Sequence, residues 1–381
     1  MAKVAGRTKG GRTLHVSDVL VIGGGIAGLS VAARLSAEAK VTVLEGESAC
    51  GYHASGRSVA FAHYGLGNEP VRTLTALSMA ELAAHGSVHP ALHIAHEGDL
   101  PALDALEDIH RHYGCAYTRV GPDEARALVP CLKADACAAA LVDHGSLKLD
   151  THAMLQAHVA AIRANRGAVI PDARVTMIGR EGDQWVALRA DGTRHGAPVI
   201  VSAAGAWADE VARMAGVTPI GIAPRRRTVI SFAAPEGEDV SRWPFTKTVG
   251  EGFYLLPEGR RQLLASSMDQ TPSEPCDAAA EELDKAIAAD RVEQATTLAI
   301  RRISHSWAGL RSFVADELPV IGEAANAPDF YWCAGQGGAG FQTAPALSRI
   351  AAAAVLGQPF PEEAAAAGLS FATFTPARLG A

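Results

Sequence analysis

Residues 18–45 restrict the fold of this chain more than any other stretch. Asp18 to Ile22, DVLVI, is a short apolar run rich in β-branched residues, and Gly23-Gly24-Gly25-Ile26-Ala27-Gly28 follows it directly. LSVAARLSAEA then carries alanine and leucine at helical spacing. KVTVL over 40–44 alternates like a strand and ends at Glu45. The order strand, Gly-x-Gly-x-x-Gly, helix, strand, acid predicts a dinucleotide-binding unit, because each part has a physical task. Gly23 permits the tight turn, Gly25 lets backbone approach a pyrophosphate, and Gly28 lets helix and strand pack closely. The helix start at Ile26 and Ala27 offers unpaired N–H groups and a positive dipole end. Glu45 can accept hydrogen bonds from ribose hydroxyls, and an acid there disfavours a 2′-phosphate, so FAD and NAD both satisfy the motif. The alternative is a glycine-rich turn beside a solvated glutamate.

The 381 residues are 48% hydrophobic and 20% charged, enough for a large core and about one to three domains. A formal net charge of −7 argues against nucleic acid as a partner. No apolar run reaches the ~18 residues that a membrane span needs. Cys50, Cys115, Cys131, Cys137, Cys276 and Cys333 have no C-x-x-C spacing, which points to reduced structural thiols and no metal site. Residues 1–16 are basic and lack an apolar core, so a disordered tail is expected in place of a secretory signal, with a cytoplasmic location as the default.

Helical spacing covers 71–84, 100–112, 122–129, 151–165, 207–215, 278–299 and 343–356. Strand-like stretches are 138–142, 168–170, 174–180, 185–189, 198–202, 226–233, 253–256 and 330–334. The strand at 198–202 runs into a small-residue turn holding Ala204, Gly205 and Trp207, and the strand at 330–334 runs into Gly335-Gln336-Gly337-Gly338-Ala339-Gly340. Three such turns, far apart in sequence, each join a strand to a helix, and the third can aim a helix start at a second anionic or electron-rich group. One cofactor touched by three distant segments predicts a discontinuous domain. The expected class is therefore α/β (α+β): a Rossmann-like cofactor-binding domain from 17–85, 140–220 and 305–370. A substrate domain on an antiparallel or mixed sheet would come from 86–139 and 221–304.

The motifs VIGGGIAGLS, GYHASGRS, VSAAGAWAD, RRR at 225–227, GFYLLPEG, LAIRR at 298–302, SWAGLRSFVAD and AGQGGAGFQTAPA together resemble the D-amino acid oxidase-like superfamily of FAD-dependent amine oxidoreductases. Within it the resemblance is to the D-arginine and D-amino acid dehydrogenase branch, and it runs from residue 18 to the C-terminus. It implies non-covalent FAD, with Ser55, Gly56, Arg57 and Ser58 lying along the pyrophosphate, ribityl chain and ring. Gly56 would admit the cofactor, and Arg57 would add charge or else form a structural ion pair. Val175 would meet the adenine. Gly337, Gly338, Ala339, Gly340, Gln342 and Thr343 would reach the flavin, where a helix start favours the reduced, anionic form.

For the substrate the resemblance implies a small molecule, an amino acid, held by its carboxylate on Arg311, with Tyr254 and Arg227 assisting. It implies oxidative deamination of a D-amino acid, with hydride passing from Cα to flavin N5 and a 2-oxo acid as the final product. Glu97 matches a pocket glutamate that selects cationic side chains, or is an ordinary exposed glutamate. Phe61 and Leu66 stand where that branch carries a histidine and a tyrosine, which puts arginine as substrate in doubt. His63 could replace the lost histidine, though a solvated loop histidine is the simpler expectation. The stretch 263–268 has no lysine of the kind that activates oxygen in several oxidases of the superfamily. That favours a quinone or another carrier as electron acceptor. An oxygen-using oxidase of D-amino acids or secondary amines, and a non-catalytic FAD-bearing subunit, are the alternatives.

Overall fold

In the computed structural model, which describes residues 14–380, the run Val19–Ile22 is the centre of a six-stranded sheet. Its four residues are all buried, as are those of Val41–Leu44, because parallel strands are covered on both faces. The sheet order is Ala168–Ile170, Val41–Leu44, Val19–Ile22, Val199–Ser202, Ala327–Ala334, Val320–Ala324, parallel except for the last pair. The chain leaves Val19–Ile22 to one side for Val41–Leu44 and later returns on the other side as Val199–Ser202. The crevice above their C-terminal ends is therefore a topological switch point, where open α/β sheets bind ligands.

Helices Ile26–Leu35, Glu69–Leu82, Thr151–Ala164 and Gly340–Val355 cover one face, and the core there joins Leu29, Val43, Leu74, Leu155 and Leu347. Local signals start two of them: the Asn68 side chain accepts from Val71 N with Pro70 in the first turn, and the Asp150 side chain accepts from Ala153 N at 2.8 Å. The other face carries a four-stranded sheet, Leu14–Val16, Arg194–Ala197, Gln184–Arg189, Val175–Glu181. Its first strand corrects the expected tail: residues 14–16 pair in parallel with 194–196. Residues 1–13 lie outside the described residues.

A nine-stranded sheet holds strands from 91–143 and 223–313. Strand pairing alternates its residues between two faces. Leu92, Ile230, Leu255 and Ala265 face backwards into one core with Ala288 and Val292 of helix Glu282–Ala295. Ala91, Val229, Phe245, Tyr254, Leu256 and Leu264 face forwards. Strand His305–Phe313, placed with the FAD segments in the expected division, instead pairs with Ala223–Ala233 over nine registered positions. Ala139–Asp143 likewise pairs with Ala91–Ala95 in this sheet. The expected helix at 278–299 is shorter because Ala278 packs on Ala308 and Leu310, which holds the chain extended before Glu282.

Candidate active site

A cavity of about 770 Å³ runs from the switch point to the front face of the nine-stranded sheet, lined by residues from all three small-residue turns. At the first turn Gly23 has φ +108°, and a Cβ there would lie 2.5 Å from the Ala203 carbonyl oxygen. A Cβ on Gly28 would meet the Gly23 oxygen at 2.0 Å, so this glycine sits behind the cavity and lets the helix close on the turn. A Cβ on Gly25 would meet only Ser55 Oγ, at 3.2 Å, so its backbone is open to the cavity beside Ile26 and Ala27. Glu45 lines the cavity and is locked by backbone donors: Gly24 N at 2.7 Å and Glu47 N at 2.8 Å. Val175, Ala204, Gly205 and Trp207 complete this end.

The loop around Ser55 works differently from its sequence reading. Ser55 Oγ accepts from Ile26 N at 3.0 Å, and Ser58 lines the wall. Gly56 does not line the cavity; its close neighbour is the Gly51 carbonyl, which accepts from Gly56 N at 2.6 Å. Its glycine is required by the chain folding on itself. Arg57 reaches the wall but donates to the carbonyls of Ala278 at 2.7 Å and Ala308 at 2.9 Å and pairs with Asp277. It ties this loop to the nine-stranded sheet.

The third turn is pressed against strand His305–Phe313. Gly337 has φ +54°, its N–H donates to Ser312 O at 2.9 Å, and a Cβ on it would strike the Phe313 ring at 2.4 Å. A Cβ on Gly338 would lie 3.0 Å from the Arg311 guanidinium carbon, so the missing side chain is what lets Arg311 lie flat against this turn. Gly340 and Gln342 line the cavity, whereas Ala339 and Thr343 are buried behind it; the Thr343 hydroxyl donates to Ala339 O at 2.8 Å.

The front face of the nine-stranded sheet supplies the other end. Arg227 is fixed by donating from Nε to Asp269 O at 2.7 Å and from Nη2 to Met268 O at 2.9 Å. Burial and the neighbouring Arg311 charge push it down to about 9. The Tyr254 hydroxyl is buried beside Ser266 with no well-formed hydrogen bond among the described residues, and burial raises the phenol above its ordinary value. Arg311 makes no ion pair or hydrogen bond among the described residues, and burial lowers it too. Phe61 stacks on Phe245 at 4.5 Å between ring centroids, and Leu66 lies on the same wall. Glu97 is exposed at the start of a short helix and does not line the cavity.

His63 corrects the expectation of a solvated loop residue: it is 4% exposed and lines the cavity. Its Nδ1 accepts from Gly65 N, and burial together with Lys247 holds the ring well below the usual histidine value, so it is neutral. Behind it His93 and His110 continue a buried column, with ring centroids 5.4 Å and then 6.2 Å apart, ending at Asp143. Lys247 was not singled out in the sequence. It stands on strand Phe245–Thr248, opposite His93 on one side and Tyr254 on the other, and lines the cavity. It makes no ion pair or hydrogen bond among the described residues, and burial with the charges of Arg311 and Arg227 brings its amine down to about 8. The alternation of FTKT places Phe245 and Lys247 on one face, a signal that four residues are too few to make visible. The cavity thus has an amine even though strand Gln262–Ser266 carries none.

Residues 18–354 match the family described as FAD dependent oxidoreductase. The chain belongs to this family. FAD is accordingly its cofactor, and the open backbone at Gly25, the acid at Glu45 and the glycine turns at 205 and 337–338 form a cradle of the right chemistry for it. Among curated proteins, FAD-dependent oxidoreductase domain-containing protein 1 of Bos taurus is 27% identical over 174 residues, 42% of this chain and 35% of that protein. The Mus musculus protein of the same name is 25% identical over the same shares. The chain spans about a third of the length of these curated relatives. Among solved structures, L-proline dehydrogenase from P. horikoshii superposes with a TM-score of 0.82 at 20% identity, covering 96% of this chain and 98% of that one. Glycine oxidase from Geobacillus kaustophilus gives 0.79 at 19%, covering 91% and 97%. FAD-bound L-α-glycerophosphate oxidase from Mycoplasma pneumoniae gives 0.81 at 20%, covering 90% and 95%. At these identities the likeness is one of fold. Among the described residues no helix of this flavoenzyme is long and apolar enough to cross a membrane.

Proposed function

We propose that this flavoenzyme oxidises the Cα–N bond of a D-amino acid to the imino acid, which water then hydrolyses to the 2-oxo acid, and that it works as a dehydrogenase. The observation that carries this reading is Arg311: a cation with no ion pair or hydrogen bond among the described residues, lying against the turn at Gly338 inside the cavity. A guanidinium there is suited to grip an α-carboxylate in bidentate fashion. The unpartnered Tyr254 hydroxyl supplies a third donor, and Arg227, locked by two carbonyls, adds charge without moving. Bound FAD supplies the two-electron acceptor for the hydrogen leaving Cα.

The cationic wall also acts on the substrate nitrogen. Lys247, Arg227 and Arg311 disfavour a fourth positive charge nearby, so they favour the neutral amine, whose proton passes to bulk solvent before or as the substrate enters, and no side-chain base is required. Phe61, Leu66 and Phe245 exclude water from the same end.

Anaerobic bleaching of the bound flavin by a panel of D- and L-amino acids, N-methyl amino acids and imino acids tests the reading. Reduction by D-amino acids supports it; no reduction by any member would support a non-catalytic FAD-bearing subunit instead. An oxygen-using oxidase is the second reading, favoured by the Lys247 amine in the cavity. Stopped-flow mixing of the reduced enzyme with oxygen separates the two, since rapid reoxidation would overturn the dehydrogenase assignment.

A further inference from the structure

The substrate end of the cavity holds more positive charge than one carboxylate can use. Arg227, Lys247 and Arg311 all line it, and Arg227 and Arg311 both depress Lys247 by their proximity. The partly buried carboxylate at this end, Asp269, already accepts the Thr228 backbone N–H on both oxygens and sits 3.8 Å from Arg227 Nε. Glu251, on the loop after strand Phe245–Thr248, is exposed at the rim. Two cations, Arg311 and Lys247, are therefore left without an ion pair or a hydrogen bond among the described residues. An unpaired ammonium deep in a protein is unfavourable unless a ligand completes it.

Position separates the two cations into two receptors. Lys247 pairs across from Tyr254 on the next strand, whereas Arg227 and Arg311 stand on strands Ala223–Ala233 and His305–Phe313, beyond strand Gln262–Ser266 in the same sheet. Both side chains nevertheless enter one cavity and feel each other's charge, an arrangement that can meet two separate carboxylates of a single ligand. The residue expected to select a cationic side chain, Glu97, is outside the cavity. Accepting the amino acid reading above, we infer that the substrate is an acidic amino acid, its α-carboxylate on Arg311 and its side-chain carboxylate on Lys247. The neutral His63 ring and Phe245 form the wall beside that second carboxylate, and His93 stands on the strand across from Lys247.

The test is a pair of measurements on the FAD-loaded enzyme. In the first, flavin absorbance reports binding of unreactive glutarate against its monoamide, for wild type, Lys247→Met and Lys247→Arg. The diacid is expected to bind about 10- to 100-fold tighter than the monoamide in wild type. The gap should close in Lys247→Met and persist in Lys247→Arg. In the second, anaerobic flavin reduction compares D-aspartate and D-glutamate with D-asparagine and D-glutamine, and the same preference and the same loss are expected. Equal binding of diacid and monoamide by wild type, or a gap that survives Lys247→Met, overturns the inference even if amino acids reduce the flavin. A gap that depends on Lys247 while no amino acid reduces the flavin upholds the dianion site and overturns the amino acid reading.

Discussion

At the dinucleotide end the cavity wall is mostly backbone: Gly23, Gly25 and Gly205 and the start of helix Ile26–Leu35, with Glu45 fixed by two backbone N–H groups. At the substrate end the wall is side chain: Arg227, Phe245, Lys247, Tyr254 and Arg311 from the front of one sheet. The first end carries acids and arginines that are paired, Arg57 with Asp277 and Arg174 with Glu47, and is shaped by missing Cβ atoms. The second is cationic, with two charges unmatched among the described residues. Backbone recognition tolerates little change in shape, because a single added carbon collides. Side-chain recognition tolerates change in shape but not in charge, which is where substrate choice resides.

The largest effect should come from removing the cation at the junction of the two ends. Arg311→Met is expected to lower kcat/KM by about 10³-fold, the scale of a lost buried bidentate contact, with Arg311→Lys recovering part of it in steady-state assays. Next, Gly28→Val puts carbon atoms where the Gly23 oxygen lies, 2.0 Å from an ideal Cβ. Its expected result is protein purified nearly free of FAD, read from the flavin-to-protein absorbance ratio. If that variant kept its flavin, the claim that the dinucleotide end is governed by shape would fail.

A smaller effect, of opposite sign, is expected at Lys247. Its amine is held at about 8 in the fold, against about 10.4 in an unfolded chain. Between those values the unfolded chain holds a proton that the folded protein has lost, so stability rises with pH across that window. Lys247→Met should remove that rise and stabilise the protein at pH 7 by roughly 1–3 kcal/mol, measured by thermal or urea unfolding. Smallest of all, Glu97→Gln should change kcat/KM by less than about twofold for acidic, neutral and basic substrates alike, as an exposed residue away from the site. A selective loss with basic substrates would return Glu97 to the pocket and undo the contrast between the two ends.

Much of the dinucleotide end was legible in the sequence because its rules are local. The turn, the helix and the acid lie within 18–45, and the strands around it are continuous apolar runs. Gly56 misled because a glycine needed for a chain contact and one needed for a ligand look alike in sequence. The substrate end was legible only in part. Arg311, Tyr254 and Arg227 came from motif resemblance and His63 only as an alternative to a solvated loop residue, while Lys247 and His93 did not come through at all. Strands such as Ala91–Ala95, Phe245–Thr248 and His305–Phe313 are short or broken by glycine, serine and charge, so period-two alternation over them is weak.

By itself, then, the sequence determined the class of fold, a dinucleotide as cofactor and the ends of the strands that hold it, because glycine conformation and apolar periodicity act over a few neighbouring residues. The tertiary structure alone decided which charges meet. Lys247 and Arg311 are brought into one cavity by strand pairing across the sheet, and Glu97 is left outside it. Charge interactions depend on distance through space and on burial, and neither is written in the spacing of residues along the chain.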